Sequence, residues 1–230
     1  MLDFAAGQTL LFDKPKTWTS FDVVAKVRNA IGIKKVGHAG TLDPLATGLL
    51  ILCTGKHTKT IEQIQGQEKE YEVIFKLGAV TASYDAEYPE ERVQDASHIT
   101  RADIEAAMET FVGEIEQVPP VFSAVKVNGQ RAYKAARKGQ KVKLRSRQVH
   151  VYAFDQLEVV PDEGATWSAR IRCSKGTYIR TLVHDLGQKL GVGGYIRELR
   201  RTRIGDHLVG NAWQIQDFVD QVKASREPKD

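Results

Sequence analysis

Residues 37 to 48 run Gly-His-Ala-Gly-Thr-Leu-Asp-Pro-Leu-Ala-Thr-Gly, a series that neither a regular helix nor a regular strand accommodates. Its three glycines supply backbone freedom and its one proline removes it, so the segment is a tight, constrained loop. The loop holds a single carboxylate, Asp43, between Leu42 and Pro44, with His38 five residues upstream. Pro44 turns Asp43 away from helical backbone angles. An isolated Asp-Pro reads as a turn aspartate bonded to its own backbone. Twelve constrained residues in succession read instead as a rigid loop that presents one acid, as nucleophile or base, to a bound substrate.

The spacing around this loop predicts alternating short strands and helices. Residues 8–13 form an apolar strand, and Ser20 caps a helix with Val23, Val24, Val27 and Ile31 on one face and Gly32 at its end. Residues 49–53 make a continuous apolar run, a buried strand leaving the Asp43 loop. Tyr71, Val73, Phe75 and Leu77 alternate as strand residues do. Thr100 and Asp103 make a capping box for a helix carrying Ile104, Ala107, Met108 and Phe111. Asn128-Gly129 is a hairpin turn signal, Val149, Val151, Trp167, Ala169, Ile171 and Cys173 read as strands, and residues 177–190 and 214–222 as helices. The expected class is α+β, with a mixed, mainly antiparallel sheet core and flanking helices.

A chain of 230 residues, 42% hydrophobic and 27% charged, can bury the core of one domain, expected over residues 1–224 with a disordered tail at 225–230. No run approaches the roughly 18 apolar residues of a membrane span. The start, Met1-Leu2-Asp3-Phe4, has no basic region leading into an apolar stretch, so a cytoplasmic protein is expected. Cys53 and Cys173 lie in apolar-patterned segments and read as buried reduced thiols rather than a disulfide or metal pair. No metal is expected.

Charge is segregated along the chain. Residues 117–154 carry nine Lys or Arg and no acid, whereas residues 84–116 carry ten acids against two bases. A basic run is often no more than a solvated face. Segregation on this scale instead suits a polyanionic partner, and nucleic acid is the class it favours.

Several segments, in order, resemble the TruB family of tRNA pseudouridine synthases. They are the loop of residues 37–48, Lys14-Pro15-Lys16-Thr17-Trp18-Thr19-Ser20, Lys69-Glu70-Tyr71-Glu72-Val73, and Cys173-Ser174-Lys175-Gly176-Thr177-Tyr178-Ile179-Arg180. Val118-Pro119-Pro120-Val121-Phe122-Ser123-Ala124, followed by Lys126, Gly129, Arg131 and Tyr133, is similar to the bacterial stand-alone branch. The match covers about residues 10 to 205, and motifs in a fixed order are more specific than any one alone.

The resemblance implies the pseudouridine synthase fold and the conversion of uridine to pseudouridine at uracil-55 in the T-loop of tRNA, without cofactor. Asp43 falls on the catalytic aspartate, and Arg180 on the arginine that keeps that carboxylate ionised. Tyr71, a core aromatic by periodicity alone, falls on the residue stacking against the flipped uracil. Tyr178 and Leu199, locally a helix-start aromatic and a strand core position, fall on residues lining the base. His38, locally a turn histidine, falls on the residue set against the RNA. Residues 118–147 resemble an RNA-gripping insertion, in which Lys126, Arg131, Lys138, Lys141 and Lys143 would hold the RNA backbone. The arginines of residues 197–203 would continue that surface.

Two departures from the family pattern accompany these matches. The family usually has glycine where this chain has Thr17. Too few residues follow Gly205 for the small C-terminal RNA-binding domain of many members. The partner expected is tRNA through its T-arm, with no guide RNA, membrane or obligatory protein partner, and a monomer. The reading from another class is a tRNA-binding or tRNA-folding protein that keeps the fold without turnover.

Overall fold

The computed structural model describes residues 3–127, 129–140, 142–161 and 163–226. In chain order the elements are β1 (Thr9–Lys14), α1 (Ser20–Ile31), β2 (Val36–His38), β3 (Thr47–Thr54), α2 (Ile61–Gly66), β4 (Lys69–Leu77), α3 (Arg101–Glu109) and β5 (Gly113–Gln117). They continue with β6 (Lys126–Val127), β7 (Gln130–Arg131), α4 (Ala132–Ala136), β8 (Arg147–Val159), β9 (Thr166–Cys173), α5 (Ile179–Lys189), β10 (Gly194–Ile204), β11 (His207–Leu208) and α6 (Ile215–Ala224). The chain divides into two compact units, one made of Met1–Tyr71 with Leu199–Asp230, the other of Glu72–Glu198.

In the first unit β1 and β3 pair antiparallel from Thr9↔Cys53 to Lys14↔Gly48, and β2 pairs with β3 through His38↔Leu52. Beyond Leu199, β10 runs parallel to β3, with Arg201 opposite Gly48. The continuous apolar run predicted for residues 49–53 has a plain cause: β3 is covered on both faces. Leu50 and Leu52 pack with Phe12, Val23, Val27 and Phe218, whereas Leu49, Ile51 and Cys53 pack with Ala39, Ile64 and Ile204. Helix α1 buries Val23, Val24, Val27 and Ile31 as its spacing predicts and closes on Gly32 in the left-handed conformation. Its cap is Thr19, one residue before Ser20, and Thr19 and Asp22 form a capping box. Helix α6 docks Phe218 edge-on to Phe12, ring centroids 5.0 Å apart.

The second unit orders its strands β4-β9-β8-β5. Pairing of β8 with β9 and of β5 with β8 is antiparallel, and the register of β8 against β9 shifts at two irregularities, near Ala153 and Glu158. Thr100 and Asp103 form the predicted capping box of α3, which buries Ile104 and Met108. Helix α5 buries Ile179, Leu182, Val183 and Leu186. Gly187 lets the backbone at Gly193–Gly194 approach it: a Cβ there would stand 2.2 Å from the Gly194 nitrogen. Strands β6 and β7 pair antiparallel, Lys126↔Arg131, about the predicted hairpin turn, of which Asn128 lies outside the described residues. Mostly antiparallel strands flanked by helices make the fold the α+β class expected. Cys53 and Cys173 are buried and not joined in a disulfide.

Candidate active site

The Asp43 loop lies in the first unit and is held from several sides by groups that hydrogen-bond its backbone. Lys14, at the end of β1, is fully buried, and its Nζ donates to the carbonyls of Pro15 (2.9 Å), Trp18 (2.6 Å) and Pro44 (3.2 Å). Burial pushes the Lys14 ammonium down to about 8; the nearby Asp43 charge opposes that fall and Arg201 adds to it. Arg201 on β10 is 1% exposed and donates Nε to the Leu49 carbonyl at 2.8 Å. Its two terminal nitrogens reach the Gly40 carbonyl at 3.1 Å and the Thr41 carbonyl at 3.5 Å.

Ser20 adds a third hold, its hydroxyl accepting from the Leu42 N–H at 2.9 Å and donating to the Leu42 carbonyl at 3.3 Å. Thr17 donates its N–H to the Pro44 carbonyl at 2.8 Å and does so at φ +72°, a left-handed conformation that glycine adopts without strain. The Asp43 carbonyl accepts from the Ala46 N–H at 3.1 Å, which closes a turn and leaves the carboxylate half-buried.

His38 ends β2 beside this loop, half-buried, with its Nδ1 buried and unpartnered. Burial lowers its pKa, so the ring is neutral at neutral pH. Tyr71 is 8% exposed on β4, and Leu199 is half-buried on β10.

The second unit holds Arg180 and Tyr178 at the start of α5. Arg180 is 4% exposed, its Nε lies 3.6 Å from Asp85 Oδ2, and its terminal nitrogens donate to the Ser83 and Phe122 carbonyls, each at 2.9 Å. Asp85 is itself fixed, accepting from the Ser83 hydroxyl at 2.5 Å and the Glu87 N–H at 3.0 Å. Asp85 carries no motif signal in the sequence, where it sits at the head of an acidic stretch. Tyr178 caps α5, and the Gln117 side chain grips both sides of its backbone: Gln117 accepts from the Tyr178 N–H at 2.8 Å and donates to its carbonyl at 3.1 Å. The Arg147 guanidinium lies over the Tyr178 ring, 4.6 Å from its centroid, and also donates to the Gly176 carbonyl. Gln117 carries no motif signal, and Arg147 stands out in the sequence only as the last residue of the basic stretch.

Of the expected phosphate contacts, Lys126, Arg131, Lys138 and Lys143 are exposed on the β6–β7 hairpin and the segment after it, and Lys141 lies outside the described residues. Arg137 in the same region pairs with Glu87 at 3.0 Å. The second basic cluster is a different matter. Arg197 pairs with Glu163, Arg200 with Asp13 through contacts of 3.0 and 2.7 Å, and Arg203 with Glu68, while Arg201 is buried under the loop. Those arginines are engaged with carboxylates or, for Arg201, with backbone carbonyls, and of them only Arg201 is fully buried.

Comparison with known proteins gives the class first, that of the pseudouridylate synthases. Residues 28–179 match the TruB family pseudouridylate synthase N-terminal domain, and residues 180–230 match the tRNA pseudouridylate synthase B C-terminal domain. The second match includes the residues beyond Gly205, where the sequence alone suggested that an appended domain was lacking. The chain belongs to the TruB family. It is 48% identical over 229 residues to tRNA pseudouridine synthase B of Parabacteroides distasonis, covering 96% of each chain. It is 50% identical over 228 residues to the protein of the same name from Bacteroides thetaiotaomicron, covering 96% of this chain and 95% of that one. Among solved structures it resembles a chain of a Cbf5-Nop10-Gar1 complex, with TM-score 0.71 and 31% identity over 94% of this chain and 54% of that one, so it spans about half of that chain's length.

Proposed function

We propose that this chain converts uridine to pseudouridine at uracil-55 in the T-loop of tRNA, with Asp43 as the carboxylate that acts at the ribose. Membership of the TruB family supports the reaction and the tRNA substrate. The observation that carries the role of Asp43 is the hold on its loop, with Lys14 bonded to the carbonyl just after it and Arg201 to those just before it.

The reaction breaks the bond between N1 and C1′, turns the uracil, and joins C5 to C1′. A proton leaves C5 and the ring nitrogen regains one, so atoms and electrons balance without a redox partner. What the protein must supply is a carboxylate in fixed position and a surface on which the detached base turns. Asp43 supplies the first, either by attack at C1′ or by removing the C2′ proton. Arg180, held by Asp85, Ser83 and Phe122, is assigned as the cation that supports the catalytic carboxylate. Tyr71 is assigned as the plane against which the flipped base stacks, and Tyr178 and Leu199 are assigned as further residues lining the base. Neutral His38 is assigned to the RNA side of the loop.

Lys126, Arg131, Lys138, Lys141 and Lys143 are assigned to the phosphates, which position the RNA without reading its sequence. The shape of the folded T-arm then supplies specificity. The chain works in this reading as a cytoplasmic monomer, with neither guide RNA nor protein partner. Pseudouridine mapping of a T-arm RNA incubated with the purified protein alone tests the reaction, its substrate and its independence of a guide RNA or protein partner. Modification at the one T-loop uridine is expected. Tight binding with no modification would instead make the chain a tRNA-binding protein on an enzyme fold.

A further inference from the structure

We propose that Arg201 is a positioning residue for Asp43, and that its guanidinium sets the place of the carboxylate by closing the base of the loop. The inference rests on Asp43 being the acting carboxylate. One guanidinium bonds the strand that leaves the loop, at the Leu49 carbonyl, and the segment that enters it, at the Gly40 and Thr41 carbonyls. Asp43 lies between those points, so the distance between the two legs of its loop is fixed by a single rigid group. Arginine is the side chain suited to this, because its donors form a planar fork of set geometry, whereas an ammonium is one point on a flexible stem.

The backbone beneath is equally constrained. Arg201 pairs with Gly48 in the parallel β3–β10 ladder, and a Cβ on Gly48 would stand 2.3 Å from the Arg201 carbonyl oxygen, so β10 lies directly against the loop's exit. Arg201 is 1% exposed and therefore unable to touch RNA phosphate as its neighbours in sequence suggested. Lys14 bonds the Pro44 carbonyl on the other side of Asp43, so two buried cations bracket the acid. Keeping two like charges buried so near one another is unfavourable unless an anion lies between them. A loop that served only as a connection would have no use for the arrangement.

The test compares single-turnover isomerisation, RNA affinity and folded fraction for the parent, Arg201→Met, Arg201→Lys and Asp43→Asn. Displacement of a reacting group by about 1 Å costs on the order of a hundredfold in rate. We therefore expect Arg201→Met to be folded, to bind T-arm RNA within about threefold of the parent, and to isomerise about a hundredfold more slowly. Arg201→Lys should recover part of the rate, because one ammonium reaches one leg of the loop but not both. Rates within about threefold of the parent in both variants, with Asp43→Asn inactive, overturn the role of Arg201 and leave that of Asp43 standing. Rates that fall only in step with RNA affinity or folded fraction, including failure of both variants to fold, also overturn it, by making Arg201 a staple of the fold. Turnover by Asp43→Asn defeats the reading of Asp43 itself, whatever Arg201 does.

Discussion

Arg180 Nε lies 3.6 Å from Asp85 Oδ2, and both side chains are almost wholly shut off from solvent, at 5% and 9% exposure. Breaking a buried pair by neutralising one member leaves the other charge desolvated without this partner, which costs about 3 kcal/mol. Asp85→Asn is therefore expected to lose about that much stability in denaturant titration. It should also slow single-turnover isomerisation by at least about tenfold, since Arg180 loses the group that orients it. Unchanged stability and rate would show that Asp85 is not what places the guanidinium.

Thr17 supplies a test in the opposite direction. A side chain held at φ +72° is in the left-handed region, which costs a β-branched residue about 1 to 2 kcal/mol. Glycine removes that strain but gives back about 0.5 to 1 kcal/mol through its freer unfolded chain. Thr17→Gly is thus expected to stabilise the protein, by up to about 1.5 kcal/mol. Destabilisation would mean that the Thr17 side chain makes interactions worth more than the strain.

Asp185, half-buried on α5, has its carboxyl pushed up to about 6 by burial. A raised carboxyl pKa contributes stability that is fully present below the unfolded value of 3.8 and is lost as pH rises through about 6. Asparagine is neutral throughout and escapes that loss. Asp185→Asn should melt a few degrees above the parent at about pH 7.5, with the gap closing towards pH 4. A gap that does not change with pH would trace the effect to packing.

The exposed basic segment is tested by salt. Replacing Lys138, Lys141 and Lys143 together by Gln should weaken tRNA binding and flatten the slope of log affinity against log salt, by about 0.7 to 0.9 for each phosphate that is no longer neutralised. An unchanged slope with unchanged affinity would leave those lysines as a solvated face.

Elements with a strong apolar period are legible in the sequence. The faces of α1 and α3, the alternation of β4 and the doubly covered run of β3 all follow from spacing. The acid loop was legible because glycines and a proline in one short series exclude other structures. Burial of charge was not. Arg200, Arg201 and Arg203 look alike in a basic cluster, and only the register of β10 on β3 carries Arg201 beneath the loop while its neighbours meet Asp13 and Glu68. Asp85 was hidden for the same reason, since it opens a stretch rich in acids and its partner lies far away in sequence. The left-handed turn at Thr17 was signalled only by the glycine usual at that place in the family, because threonine itself carries no such signal.

Asp43→Asn bears most directly on the central claim. The amide keeps the size and much of the hydrogen-bonding shape of the acid but is neither a nucleophile at C1′ nor a base towards C2′. Removing the negative charge also relieves repulsion with phosphate. The decisive measurement is single-turnover isomerisation of T-arm RNA by this variant, with affinity measured on the same preparation. Undetectable pseudouridine with affinity equal to or better than the parent's is the expected result. A variant that still isomerises within about tenfold of the parent, a barrier change of only about 1.4 kcal/mol, would show that Asp43 is not the group that acts.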